Sequence, residues 1–252
     1  MRSVFITGGS AGIGRATVDR FLARGWLVGA YSRRGLPGVR HPRLVSGVLD
    51  VQSPESWSRA LEEFTAHTGG SLDVLVNNAG VIVAQELAEM SVPDILGQIQ
   101  VNAAGPTLGA KLAYPYLRKG KDPQVINLGS ASAIYGQPEI SVYGATKAYI
   151  GSLTEALNLE WRSKGIRVVD VWPLWTQTAM AECEASSVAR MGAQITPERV
   201  ADVVWAAANP RTRWQRGKIH YGVSARDKAF YAGRKLSPDR LSRLVNGWLS
   251  GE

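Results

Sequence analysis

The sequence predicts an α/β fold, a doubly wound parallel sheet of about seven strands forming a single domain over residues 1–252. Three observations predict it. Short apolar runs rich in β-branched residues alternate with longer stretches of helical period, the pattern of repeated strand–helix–strand units. A chain of 252 residues, 45% hydrophobic and 20% charged, can bury one sizeable core and is neither a disordered tail nor a small stapled scaffold. No linker-like composition and no internal repeat divides it.

Taken in order, the first strand is expected at 3–7, where Val4-Phe5-Ile6 follows Met1-Arg2 with no room for a signal-peptide core. Glycines then open a helix at 13–24, and a strand follows at 26–31. Gly35 to Pro42 is broken by glycine and proline, so the link to the third strand, 43–49, is expected as a turn or loop in place of a crossover helix. Next come a helix at 54–67, a strand at 72–77, a long helix at 91–118, a strand at 123–129, a helix at 142–164 and a strand at 166–172. Thr196-Pro197-Glu198 is a clear helix start, with a threonine cap, proline at the first helical position and an acid in the first turn, so 196–208 reads as a helix. A strand at 217–224 and a basic, helical C-terminal extension near 225–252 complete the chain. Nothing approaches 18 consecutive apolar residues, and one cysteine, Cys183, forms neither an internal disulfide nor a cysteine metal site. A cytoplasmic address and no metal are the expectations.

The first strand runs into Thr7-Gly8-Gly9-Ser10-Ala11-Gly12-Ile13-Gly14. Gly8, Gly12 and Gly14 form a G-x-x-x-G-x-G spacing between strand and helix, where missing side chains let backbone N–H groups and the positive helix end approach a pyrophosphate. That context points to a Rossmann-like nucleotide site. After the second strand comes Tyr31-Ser32-Arg33-Arg34, with no acid from Ala30 to Pro37. Guanidinium groups there suit the 2′-phosphate of NADP, whereas an acid would accept from the free 2′-hydroxyl of NAD; the plainer alternative is two solvated loop arginines. Asp50 and Val51, past the third strand, are placed to flank the adenine.

Asn77-Asn78-Ala79-Gly80 ends the fourth strand, where open α/β sheets bind ligands. Ser130 follows the fifth, and thirteen residues later stands Tyr143, with Lys147 four further on. On a helix Tyr143 and Lys147 share one face. A tyrosine with a pKa of about 10 is a poor base at neutral pH, and a neighbouring ammonium favours the phenolate. The pair alone is weak, since a chance Tyr-x-x-x-Lys is expected roughly once in four such chains. A second pair, Tyr231 and Lys235, has Lys218 thirteen residues upstream in place of serine and reads as a packing or interface aromatic. Taken singly, Asn102 bonding backbone, Ser130 capping a turn and Tyr143 as a buried aromatic are equally natural.

Together these residues resemble the short-chain dehydrogenase/reductase family along essentially the whole chain: Thr7 to Gly14, Asp50, Asn77 to Gly80, Asn102, Ser130, Tyr143 and Lys147 occur in its order and approximate spacing. The resemblance implies an NAD(P)-dependent oxidoreductase. Ser130 would position a substrate carbonyl or alcohol, Tyr143 would act as general acid or base, Lys147 would hold the nicotinamide ribose and lower the Tyr143 pKa, and Asn102 would anchor a proton relay. The cofactor would touch Gly8, Ser10, Gly12, Ile13, Gly14, Arg33, Arg34, Asp50, Val51, Asn77, Ala79, Gly80, Tyr143, Lys147, Pro173, Trp175 and Thr178. After the sixth strand the family shows Pro-Gly; here Leu174 follows Pro173, which raises a question of backbone placement and pocket volume.

Ile134, Tyr135, Ile140, Leu174, Trp175 and Met180 suggest a mainly apolar substrate pocket, with Gln137, Glu139 and Gln177 as polar readers. The resemblance also implies pairing of helices 91–118 and 142–164 in a homodimer or homotetramer. Residues 210–252 hold 10 Lys+Arg against 3 Asp+Glu, whereas 1–209 hold 19 against 18. From Ser237 a helix start precedes the stripe Leu241, Leu244, Val245, Trp248 and Leu249, which suits packing on the body or a sister subunit better than peripheral membrane contact. No reader motif for nucleic acid accompanies it. The reading is therefore an NADP(H)-dependent carbonyl reductase or alcohol dehydrogenase, the alternative being a non-catalytic nucleotide sensor or scaffold.

Overall fold

A computed structural model describes residues 1–36, 38–182 and 185–236. Its strands are β1 (Ser3–Thr7), β2 (Leu27–Ser32), β3 (Leu44–Val48), β4 (Val74–Asn77), β5 (Gln124–Leu128), β6 (Arg167–Trp172) and β7 (His220–Gly222). All pair in parallel, in the order β3-β2-β1-β4-β5-β6-β7. Both faces are covered, which is why the inner strands read as unbroken apolar runs. Val4, Ile6, Val28, Ala30, Val74 and Val76 pack on one side with Val18 and Phe21 of α1 (Gly12–Leu22). Phe5, Leu75 and Val125 face the other way, onto Trp57 and Phe64 of α2 (Pro54–Ala66).

The chain leaves β1 toward β2 on one side and returns to β4 on the other, so the strand order reverses between β1 and β4. That reversal opens a crevice at the carboxyl ends of the strands. Between β2 and β3 the described residues hold no helix, as the glycines and prolines there predict.

Three boundaries differ from the sequence expectation. The helix expected at 91–118 is α3 (Val92–Ile99), a π-helical turn over Gln100–Ala104, and α4 (Gly105–Leu117). The helix expected at 142–164 is α5 (Ser141–Glu160) followed by a 3-10 turn, Arg162–Lys164, closed by Gly165 at φ 72. The last strand is only His220–Gly222, because the capping box of Thr212 and Gln215 starts a short helix, α8 (Arg213–Gly217), where a strand was expected to begin. Two further helices, α6 (Ser186–Met191) and α7 (Pro197–Ala208), precede it, and α9 (Ala225–Leu236) follows β7. Cys183 and the helix start at Ser237 lie outside the described residues. Among the described residues no helix is long and apolar enough to cross a membrane, and no group of three or more His, Cys, Asp or Glu side chains is arranged to hold a metal ion.

Candidate active site

The crevice is a cleft of about 440 Å³, walled by the connections that leave β1, β2, β4, β5 and β6. At one end lies the glycine turn, whose Gly8 and Gly9 N–H groups donate to the Tyr31 carbonyl at 2.7 and 3.3 Å. Gly8 (φ 67) and Gly12 (φ 51) adopt left-handed backbone, and a Cβ on Gly14 would collide with the Gly8 carbonyl, so the turn is shaped to present main chain to the cleft. Thr7 locks this turn to the end of β4: its hydroxyl accepts from the N–H groups of Asn78 and Ala79, both at 3.0 Å, while the Asn78 amide donates to the Thr7 carbonyl at 2.8 Å. A bound nucleotide's phosphates fit this bare cradle. Ser10, Ile13, Arg33, Arg34, Ala79 and Gly80 line the cleft as expected. Asp50 and Val51 line an adjoining cavity of about 130 Å³ that also reaches Arg33 and Arg34.

Asn77 does not line the cleft. It is buried, and its amide donates to Asn127 Oδ1 at 2.9 Å and to the Pro106 carbonyl at 3.3 Å, so it stitches β4 to β5 and α4. Side chains alternate across a strand, and Asn78 takes the cleft side instead.

At the other end Ser130, Tyr143 and Lys147 meet. Ser130 leaves β5 in extended conformation and its hydroxyl accepts from the Ser132 N–H at 3.2 Å, capping a 3-10 turn while it faces the cleft. Tyr143 and Lys147 rise from the first turns of α5. The Lys147 ammonium donates to the Leu128 carbonyl at 2.8 Å and lies 5.5 Å from the Tyr143 ring centroid. Burial pushes the Lys147 pKa down to about 8. Asn102 sits on the π-helical turn, a distortion frequent at functional sites. Its Oδ1 accepts from Val81 N–H at 2.9 Å, and its amide donates to the Val81 carbonyl at 2.8 Å and to Thr146 Oγ1 at 3.3 Å. Gly80 stands between these groups: a Cβ there would lie 3.3 Å from Asn102 Oδ1 and 3.7 Å from Lys147 Nζ.

Pro173, Leu174, Trp175, Thr178 and Met180 form the wall beyond β6, with Gln137 opposite. Leu174 is absent from the residues with positive φ, so the backbone needs no glycine there, and its side chain packs into the core beside Trp172. Three expected pocket residues do not reach the cleft wall: Ile140 packs beneath Tyr143, Tyr135 joins Trp172, and Ile134 joins the same cluster. Glu139 and Gln177 do not line it either. Glu139, at φ 62, ties the chain together by accepting from Ser186 N–H and Oγ at 2.6 and 2.8 Å. Tyr231 packs on Trp172 and His220 and does not line the cleft. Sequence reasoning missed the supports: Leu128, Thr146 and Val81 hold Lys147 and Asn102, two of them through main-chain groups that carry no side-chain signal.

The family model for short chain dehydrogenases matches residues 2–188. The chain belongs to the short-chain dehydrogenase family. As a short-chain dehydrogenase it is 29% identical over 233 residues to a 3-oxoacyl-[acyl-carrier-protein] reductase of Thermotoga maritima, covering 85% of this chain and 93% of that relative. It is 34% identical over 181 residues to 3beta-hydroxysteroid dehydrogenase 1 of Eggerthella lenta, covering 68% of this chain and 69% of the relative. A short chain dehydrogenase from Burkholderia cenocepacia, solved with NADP, shares the fold of this short-chain dehydrogenase at a TM-score of 0.79 and 24% identity, over 97% of this chain and 98% of the other. A 3-ketoacyl-(acyl-carrier-protein) reductase from Brucella melitensis, solved with NADH, aligns at a TM-score of 0.79 and 23% identity, over 88% of this chain and 96% of the other.

Proposed function

We propose that this short-chain dehydrogenase is NADP(H)-dependent and transfers a hydride between the nicotinamide and a carbonyl or secondary alcohol carried on a mainly apolar substrate. The observation that carries the reading is one cleft with a bare glycine cradle and Arg33 and Arg34 at one end and Ser130, Tyr143 and Lys147 at the other. The solved relatives hold NADP in one case and NADH in the other, so the cofactor choice rests on those arginines and on the lack of an acid beside them. The names of two relatives, a 3-oxoacyl reductase and a 3beta-hydroxysteroid dehydrogenase, both describe oxygen functions on apolar bodies, and Leu174, Trp175 and Met180 give this pocket the same character.

When bound, the nicotinamide supplies or takes up the hydride. Gly8, Gly12 and Gly14 would hold its diphosphate and Arg33 and Arg34 its 2′-phosphate; Asp50, Val51, Ala79 and Gly80 would line the adenosine side, and Pro173, Trp175 and Thr178 the nicotinamide side. Ser130 donates a hydrogen bond to the substrate oxygen. In reduction Tyr143 gives its hydroxyl proton to that oxygen as the carbon is reduced; in oxidation the phenolate takes the proton back. Lys147 stabilises the phenolate electrostatically, and Asn102, fixed by Val81, anchors the path that resupplies the proton.

NADPH oxidation against a panel of ketones and aldehydes tests this. Tyr143→Phe should lower kcat by about 10²-fold or more with NADPH affinity unchanged. NADPH binding without turnover by the wild-type protein across a broad panel would overturn the reading. Arg33→Ala should weaken NADPH by roughly 10-fold or more and leave NADH untouched, since a charge-assisted bond to the 2′-phosphate is lost. Equal weakening of both would remove the NADP assignment.

A further inference from the structure

In a parallel sheet every helix-to-strand return arrives at the amino ends of the strands, opposite the cleft. In this protein those returns are basic, except the one from α2 to β4, which carries no lysine or arginine. The link from α4 to β5 carries Arg118, Lys119 and Lys121, and the link from α5 to β6 carries Arg162 and Lys164. From α7 to β7 the chain carries Arg211, Arg213, Arg216 and Lys218. Arg2, Arg24 and Arg43 stand just before β1, β2 and β3. Two acids stand at the same end, Asp122 in the link from α4 to β5 and Asp73 in that from α2 to β4. Asp73 is buried, accepting from the Ser3 and Lys121 N–H groups at 2.8 and 2.6 Å, and Asp122 lies 3.9 Å from Arg216.

Three of these segments touch one another. Arg2 donates to the carbonyls of Lys121 and Asp122, at 3.5 and 3.4 Å, and Asp122 bridges to Arg216 on α8. On the same short helix Trp214 is 74% exposed, with the Lys218 ammonium 5.5 Å from its ring. Trp214 therefore presents an exposed ring, apolar with a polar N–H, amid cations, a combination suited to a partner that is anionic and partly apolar.

We propose that this basic pole docks on the surface of an anionic lipid bilayer, with Trp214 entering the headgroup layer. Charge complementarity selects an anionic partner, and the cations are spread across the whole width of the sheet end, which suits a plane of headgroups. Trp214 is the anchor such a plane accommodates, since its ring is apolar and its N–H polar. A single-stranded nucleic acid would call for a groove with successive stacking aromatics, and α8 offers one. Docked this way, the cleft faces away from the bilayer, so cofactor and substrate keep their access.

Flotation of the full chain with phosphatidylcholine vesicles, with and without about one third phosphatidylglycerol, tests the proposal. Binding is expected only to the anionic vesicles, with loss as salt rises from about 0.05 to about 0.5 M. Arg213→Gln with Arg216→Gln should weaken it roughly 25-fold, from about 5-fold per cation near an anionic surface. Trp214→Ala should weaken it as well, and all these variants should keep wild-type melting temperature and cofactor affinity. Arg240→Gln with Arg243→Gln should leave binding unchanged. The proposal is overturned by failure to bind anionic vesicles, by equal binding to neutral ones, or by tighter capture of single-stranded DNA at the same salt. It is equally overturned if the 240/243 variant abolishes flotation while the pole variants do not, or if Trp214→Ala changes only the oligomeric state.

Discussion

Lys147, to which the proposed function gives the stabilisation of the Tyr143 phenolate, opposes the fold that holds it. Its ammonium is buried beside Tyr143 with the Leu128 carbonyl as acceptor, and burial lowers its pKa from the ordinary 10.5 to about 8. Because the folded value lies below the unfolded one, the unfolded chain binds the extra proton between about pH 8 and 10.5. Stability therefore gains from this residue as pH rises through that window, and below it the buried charge is a cost. Lys147→Met should remove the rise, hold or raise the melting temperature at pH 7, and lower turnover by about 10²-fold or more; thermal unfolding against pH beside kcat checks it. A lower melting temperature at every pH would show that the bond to Leu128 outweighs the desolvation. At this scale the meeting of Gly8, Gly12, Gly14, Ser130, Tyr143 and Lys147 at one cleft was legible, because it depends on spacing within one or two elements. The direction of the Asn77 side chain was not: adjacent asparagines point to opposite faces of a strand, and spacing alone does not say which faces the cleft.

Between elements, the sheet edge is held by a cluster with no motif. Asp170 on β6 is buried and meets His220 Nδ1 on β7 at 2.8 Å; Glu155 on α5 meets Nε2 at 2.9 Å. Trp172 and Tyr231 pack against the imidazole. Burial alone would lower the His220 pKa, but Asp170 and Glu155 outweigh it and raise it, while burial raises that of Asp170. His220 thus contributes stability that is fully present below its unfolded value of 6.5 and lost as pH rises through its higher folded value. His220→Gln should destabilise by about 3 kcal/mol at pH 6, since it leaves Asp170 buried without its cation, and the deficit should shrink as pH rises. Denaturant unfolding at several pH values measures this, and a pH-independent deficit would refute the charged form. Because Trp172 leads directly into Pro173, the same cluster braces the wall of the cleft. The predicted long helix at 91–118 was legible from its period, but the π turn that aims Asn102 was not, because the pull of Val81 and Thr146 comes from elsewhere in the chain.

For the molecule as a whole, α3 and α5 leave Val92, Leu96, Ile99, Tyr149 and Leu159 exposed, and we propose this face as the contact of the homodimer or homotetramer that the resemblance implies. Val92→Glu with Leu96→Glu should reduce the solution mass toward the monomer without loss of helix content, read by light scattering and circular dichroism. An unchanged mass would exclude this face as the interface. The charge changed meaning most. In sequence the excess sits in residues 210–252, yet Arg211, Arg213, Arg216 and Lys218 join Arg2 and Lys121 at one pole. Hydrophobic period, turn chemistry and the spacing of Ser130, Tyr143 and Lys147 are local properties, so the parallel sheet, the nucleotide turn and the family were readable along the chain. Which cations share a surface, which asparagine faces the cleft and which histidine meets two carboxylates depend on residues 50 to 120 positions apart, and only the closed sheet brings those together.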